Sequence, residues 1–202
     1  MTPSRPAEPA LARRAVLLVA ALALVVYLNV LPNGFVIDDQ VLIVGNHLLR
    51  EPGGLKRIFA TNAWAALAEA LPVNFYRPLM HLTLWVWWRM FQDNPAGYHL
   101  LSVLLHAGVS VLVFLGLRRI QADSTTAWLA ALLFAVHPIH TEAVAWISAF
   151  PDLQSSFFVL LGACCTCGPR TRPDGVAARW KPESPPAPCW ACWQKKSPWR
   201  CR

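Results

Sequence analysis

Cysteine is missing from the first 163 residues. All six (Cys164, Cys165, Cys167, Cys189, Cys192 and Cys201) lie beyond them. A disulfide framework for the main body is thereby excluded. Charge is scarce as well. Only 14% of the 202 residues are Asp, Glu, Lys or Arg, against about 25% in a typical soluble domain. With 55% of residues hydrophobic, an ordinary soluble enzyme is a poor fit. The body also lacks an excess of either sign. Residues 1–163 hold 10 basic and 9 acidic groups, while residues 164–202 hold 8 and 2, so the net charge of +7 sits almost wholly in the tail. A near-neutral body argues against a nucleic-acid partner.

What is present is a set of uncharged, apolar stretches. Residues 15–37 carry no charge and follow Arg13-Arg14. A bilayer crossing needs about 20 such residues. A secretory signal peptide shares the basic flank and apolar core. Here Pro32-Asn33-Gly34 follows instead of a small-x-small cleavage site, which favours an uncleaved anchor. Residues 94–117 form a second run, ending at Arg118-Arg119, and residues 124–141 a third. Residues 153–163 begin a fourth, which decays into Cys-Cys-Thr-Cys-Gly-Pro before an ordinary span is complete.

Residues 78–91, PLMHLTLWVWWRMF, are short for a span and rich in tryptophan, a residue enriched at headgroup level. The positive-inside rule arbitrates. Arg13 and Arg14 place the N-terminus in the cytoplasm, and Arg118-Arg119 belongs there too. Both hold only if residues 78–91 do not cross and form an interfacial or re-entrant helix. The loop 32–77 then lies outside. Within it, apolar residues at helical spacing over Gly54–Ala70 predict one or two short surface helices. Asp38, Asp39, Arg77, His137, His140, Glu142 and Asp152 all fall on the outer side.

Each of these polar groups admits two readings. Asp38 and Asp39 are either a solvated flank of the first helix or carboxylates at the mouth of a membrane cavity. There they would accept a hydroxyl proton or hold a divalent cation. Arg77, next to Pro78, either anchors the helix at the headgroups or grips a phosphate with its planar fork. His137-Pro138-Ile139-His140-Thr141-Glu142 places two imidazoles and a carboxylate beside a helix-breaking proline. Metal binding, hydrogen bonding to a substrate and structural capping all remain open for it. Asp152 stands where it caps the fourth helix, and a role in the cavity is compatible with that. His99 and His106, seven apart, share a helix face, and His106 reads as a satisfied interhelical histidine. The tail beyond residue 163 reads as disordered or anomalous. Its four-thiolate zinc alternative lacks a surrounding apolar pattern. The abrupt change at residue 164 is what a truncated or frame-shifted reading of a larger membrane protein would give.

GFVIDDQVLIVGN, NFYRPLMHLTLWVWWRMF, GYHLLSVLLHAGVSVLVFLGLRR and LAALLFAVHPIHTEAVAWIS follow one another in this order. Together they resemble the N-terminal membrane region of the transmembrane-and-tetratricopeptide O-mannosyltransferase family and its bacterial relatives, over roughly residues 14–163. HPIHTEAVAWIS is the strongest segment. The resemblance implies an all-α membrane protein, a partial GT-C-like multi-helix bundle with an interfacial-helix outer loop. It divides the chain into a cytoplasmic N-terminus (1–13), the transmembrane region (14–163) and the tail (164–202).

It further implies transfer of a sugar, mannose in the named family, from a polyprenyl-phosphate donor to a protein Ser/Thr hydroxyl, with inversion. The family's essential acidic residue maps onto Asp38-Asp39 and a second one onto Asp152. Charge and position put Arg77 near the donor phosphate, and His137, His140 and Glu142 are the further candidate substrate-binding groups. The site would face the periplasm or the endoplasmic-reticulum lumen, with a bacterial inner membrane favoured. Two departures stand out. Family members show Gly-Arg-x-Asp where this chain has Ala149-Phe150-Pro151-Asp152. Only three or four hydrophobic helices are present and no tetratricopeptide repeat follows, so activity would require a completing membrane subunit. The competing function is a non-enzymatic membrane assembly or transport subunit.

Overall fold

The computed structural model describes residues 8–51, 53–60, 76–120 and 123–166. The chain divides into one unit reaching Gly168 and another, Pro169–Arg202, which lies outside the described residues. So do Cys167, Cys189, Cys192 and Cys201, and with them the zinc alternative. Among the described residues there are helices and no strand.

The first apolar run does not stay helical to residue 37. α1 spans Glu8–Tyr27 and tightens into a 3₁₀ turn at Leu28–Val30. Pro32 explains the stop, because proline disfavours helix at the residue before it and donates no hydrogen bond. The chain re-coils as a π-turn over Gln40–Val44. It then forms the short helix α2, His47–Arg50, where the Asn46 side chain accepts from the Leu48 N–H. α3 covers Gly54–Ile58 only. α3 is one short helix of the one or two expected over Gly54–Ala70, and residues 61–75 lie outside the described residues.

α4 spans Pro78–Phe91, with proline at its first position. Its 14 residues fall short of the ~20 that a crossing needs. α5, Pro95–Arg119, is the longest at 25 residues and is capped by the Asn94 side chain. α6, Ser124–Val136, is capped by Asp123, whose carboxylate accepts from the Thr126 N–H. Hydrogen bonds from Thr126 hold that carboxyl below its usual range. Pro138 breaks the third run as its sequence predicts. A 3₁₀ turn at Pro138–His140 and the helix α7, Thr141–Ala145, continue at a bend of 47°. The fourth run corrects its expectation: α8 extends over Phe150–Thr166. With the 3₁₀ turn at Ile147–Ala149 it makes an apolar stretch of 20 residues. Cys164 is apolar enough to be buried in it, its Sγ 3.8 Å from the Leu112 carbonyl.

Three helical stretches are long and apolar enough to cross a bilayer: Ala12–Val30, Pro95–Arg119 and Ile147–Thr166. The bent pair Ser124–Val136 and Pro138–Ala145 makes a fourth candidate. α5 is central. Tyr27, at the end of α1, packs edge-on against His106 in mid-α5 with ring centroids 4.9 Å apart. His106 Nε2 pairs with the Ala135 carbonyl near the end of α6 at 3.0 Å. Val19 and Ala23 cluster with Ala107 and Phe114, while Tyr27 and Val30 cluster with Val103. α6 begins just after α5 ends and returns to His106. α1 and α6 thus run opposite to α5. α8 runs alongside α5 in the same direction, since Arg119 hydrogen-bonds the Cys164 carbonyl where both helices end. Ala127, Ala131 and Ala135 recur at helical spacing and meet Val19, Ala23 and Ala107. Small residues permit this close helix approach. Leu17, Val25, Leu129, Leu133 and Val159 point outward and exposed, a pattern suited to lipid rather than water.

The alternation of helix direction, with α4 excluded, places Asp38, Arg77, the bend after α6 and the start of α8 at one end of the bundle. Cysteines introduced at Asp38, Glu142 and Asp152, in a background where the six native cysteines are serine, should therefore react with a membrane-impermeant thiol reagent from the same side of sealed vesicles. Labelling of any one from the opposite side would break this topology.

Candidate active site

A cleft of about 260 Å³ opens at that end of the bundle, and Asp38, Arg77, Glu142 and Asp152 line it. Each comes from a different stretch of sequence. Asp38 stands on the turn after α1. Arg77 immediately precedes α4. Glu142 lies in the first turn of α7, and Asp152 in the first turn of α8. Asp152 is thus inside the first turn rather than at the cap, where a negative charge suits the helix dipole. Leu42, Met80 and Trp146 supply apolar wall, and Ser148, Ala149 and Pro151 complete it. Three carboxylates and one guanidinium give the cleft a net negative lining. Arg77 is its one cationic side chain among the described residues, so an anionic group entering it is best met at that end.

The two neighbouring aspartates part company. Asp38 is half-buried on the cleft, whereas Asp39 is fully buried. Asp39 Oδ2 accepts from the Val36 N–H at 3.1 Å. Its Oδ1 accepts from the Ser148 N–H at 2.8 Å and from the Ser148 hydroxyl. The pair is therefore split by burial, as adjacent side chains can be.

His137 and His140 are not among the residues lining the cleft, because the break at Pro138 uses them locally. The Ile139 N–H donates to His137 Nδ1 at 3.2 Å, and the His137 carbonyl accepts from the Tyr27 hydroxyl at 3.1 Å. The His140 ring packs on Phe134, with centroids 4.2 Å apart, and near His106 at 5.2 Å. His106 takes the Ala135 carbonyl, which an unbroken helix would have satisfied from residue 139. This is the interhelical role read from its position. His99 is buried in α5 beside the backbone of Asn33 and Gly34. Among the described residues, no three His, Cys, Asp or Glu side chains stand close enough together to hold a metal ion.

Trp146 and Ser148 were not singled out from sequence, although both lie inside HPIHTEAVAWIS. The signal was their place in that segment, two residues apart in the link that joins α7 to α8.

Comparison with known proteins bears on what this cleft belongs to. Residues making up 72% of the chain are 40% identical, over 146 residues, to mouse protein O-mannosyl-transferase TMTC3. The Caenorhabditis elegans protein O-mannosyl-transferase F38B6.6 is 34% identical over 152 residues, 73% of the chain. Drosophila Tmtc1, of the same description, is 37% identical over 143 residues, 70% of the chain. Part of this chain is homologous to the TMTC protein O-mannosyl-transferases.

The chain spans about a sixth of the length of the TMTC3 relatives, 16% of the mouse protein and 15% of the human one. No protein-family model matches the chain, and no solved structure does. These TMTC relatives come from mouse, human, nematode, fly and frog. That overturns the bacterial inner membrane expected from sequence, and no bacterial protein is among the relatives named.

Proposed function

We propose that this chain is the N-terminal membrane portion of a glycosyltransferase that moves a hexose, mannose by analogy with the TMTC relatives, from a polyprenyl-phosphate donor to a protein Ser or Thr hydroxyl. The observation that carries the reading is the convergence of Asp38, Arg77, Glu142 and Asp152 on one cleft at the end of a bundle of apolar helices. The proposed compartment is the endoplasmic-reticulum membrane, with the cleft on the lumenal side.

The chemistry runs as follows. The Asp38 carboxylate takes the proton of the acceptor hydroxyl, and that oxygen attacks the anomeric carbon. The bond from this carbon to the donor phosphate breaks, and the phosphate leaves with the electron pair. Arg77 meets the charge that grows on it. Attack opposite the leaving group inverts the anomeric carbon. Asp152 and Glu142 orient sugar hydroxyls as acceptors, and the lipid tail of the donor stays in the bilayer. Positioning of donor and acceptor in one small cleft supplies the rest of the rate.

The test is donor-dependent transfer of labelled mannose to a Ser/Thr peptide in microsomes that carry the chain. Arg77→Ala is expected to raise the KM for the lipid donor by about tenfold, the worth of one charge-assisted phosphate contact. Arg77→Lys should recover part of it. Absence of any donor-dependent transfer above microsomes lacking the chain would favour the assembly-subunit reading instead.

A further inference from the structure

Asp39 is spent on the fold, and its partner identifies what it holds. The carboxylate is fully buried and accepts three hydrogen bonds, two of them from the backbone and hydroxyl of Ser148, 109 residues away in sequence. A buried carboxylate without donors is very costly, so these contacts dictate how the two segments meet. One segment carries Asp38, the neighbour of Asp39. The other runs from Ser148 to Asp152 and opens α8. Both Asp38 and Asp152 line the cleft, and so does Ser148 itself.

The backbone around Asp38 is strained. Ile37 has φ +41°, a left-handed conformation that is unfavourable for a β-branched residue. The π-turn Gln40–Val44 follows directly. Such conformations persist only where the surroundings over-determine them. The Val36–Asp39 hydrogen bond closes this turn, and the Ser148 contacts tie it to α8.

We propose that Asp39 is a positioning residue. By clasping Ser148 it holds the strained turn against the start of α8, and so keeps Asp38 and Asp152 on one cleft. Its functional meaning rests on the glycosyl-transfer reading above, while the clasp itself does not. Asp38 touches the substrate, and Asp39 acts through Asp38.

Proximity provides the first test. The chain in membranes, with its native cysteines as serine, carries Asp38→Cys together with Asp152→Cys and is treated with a short bifunctional thiol reagent. Adding Asp39→Ala should lower the cross-linked yield by about fivefold or more, because charge-assisted hydrogen bonds are lost. A far-end control reports on the rest of the bundle. A Cβ added at Gly116 stands 3.7 Å from Cys164 Sγ, so Gly116→Cys with native Cys164 should form a disulfide whether or not Asp39 is present. Unchanged cleft cross-linking in Asp39→Ala overturns the clasp. If Asp39→Ala also loses the far-end disulfide, Ser148→Ala decides. A fall of about twofold with one hydrogen bond removed sustains the clasp, and an unchanged yield overturns it.

Transfer provides the second test. Asp39→Ala should lower kcat by about 100-fold, as misplacement by an ångström does, with a smaller rise in the donor KM because Asp152 is displaced too. Asp39→Asn keeps an oxygen acceptor for Ser148 and should recover much of that loss. An Asp39→Asn variant as inactive as Asp39→Ala, with cross-linking intact, would make Asp39 a reacting group and end its positioning role. A parent chain that shows no transfer yet loses cross-linking in Asp39→Ala would sink the glycosyl-transfer reading and leave the clasp standing.

Discussion

Asp38→Asn should lower donor-dependent transfer by about 10²–10⁴-fold, the range over which a positioned general base contributes. The expected signature is a fall in kcat with little change in the donor KM, because the carboxylate acts on the acceptor hydroxyl and not on the donor phosphate. The side chain is half-buried on the cleft rather than in the core, so asparagine fits in its place without disturbing the helices. Asp38→Glu should keep part of the rate. Asp152→Asn, on the same cleft, should produce a smaller loss that is larger in KM. An Asp38→Asn protein that transfers at the parent rate would remove Asp38 from the reaction. The Asp39 result then separates the two neighbours: one loses chemistry, the other loses the placement of chemistry.

The second large effect concerns Phe150, the position at which the family resemblance leads one to expect the arginine of Gly-Arg-x-Asp. Phe150 is fully buried. Its ring lies 4.7 Å from that of Trp87, inside a cluster with Leu42, Ile43, Leu84, Tyr98 and Ile147. Restoring the family residue through Phe150→Arg would place an unpaired charge among these side chains, at a cost of about 3–5 kcal/mol. The detergent-solubilised protein should lose about 10 °C or more in Tm, whereas Phe150→Leu should cost about 1 kcal/mol. If Phe150→Arg instead melts like the parent and gains affinity for the lipid phosphate, the arginine has reached the cleft and the packing argument fails. The contrast explains why Arg77 carries so much of the proposed phosphate contact in this chain.

The helices were the most legible part of the sequence, because uncharged apolar runs leave few alternatives in length or type. Their ends were less so. The run 15–37 contains no charge, yet its helix and 3₁₀ turn stop at Val30, where Pro32 outweighs hydrophobicity. The cysteines after residue 163 looked like decay of the fourth run. Cys164 behaves instead as a small apolar side chain, and the helix carries on to Thr166.

The site was legible in a particular way. Positive-inside logic brought Asp38, Arg77, Glu142 and Asp152 to one end, and they share a cleft there. The same logic could not separate Asp38 from Asp39, because burial depends on a hydrogen-bond partner 109 residues away. Nor could it see that the proline break, once made, would turn His137 and His140 into local packing and capping groups.

The 14-residue α4 fixes the parity of everything after it. If this segment lies at the interface and does not pass through, α5 would enter from the same leaflet that α1 has just reached, and the polar mouth would be confined to that leaflet. Under the proposed function, a donor tethered to a long hydrocarbon chain would arrive there by lateral diffusion within that monolayer, and donor assembled on the other face would first have to be flipped. Turnover would then follow the supply of inverted lipid as much as any rate constant of the protein, and a flippase would set the pace of the reaction without ever touching this chain.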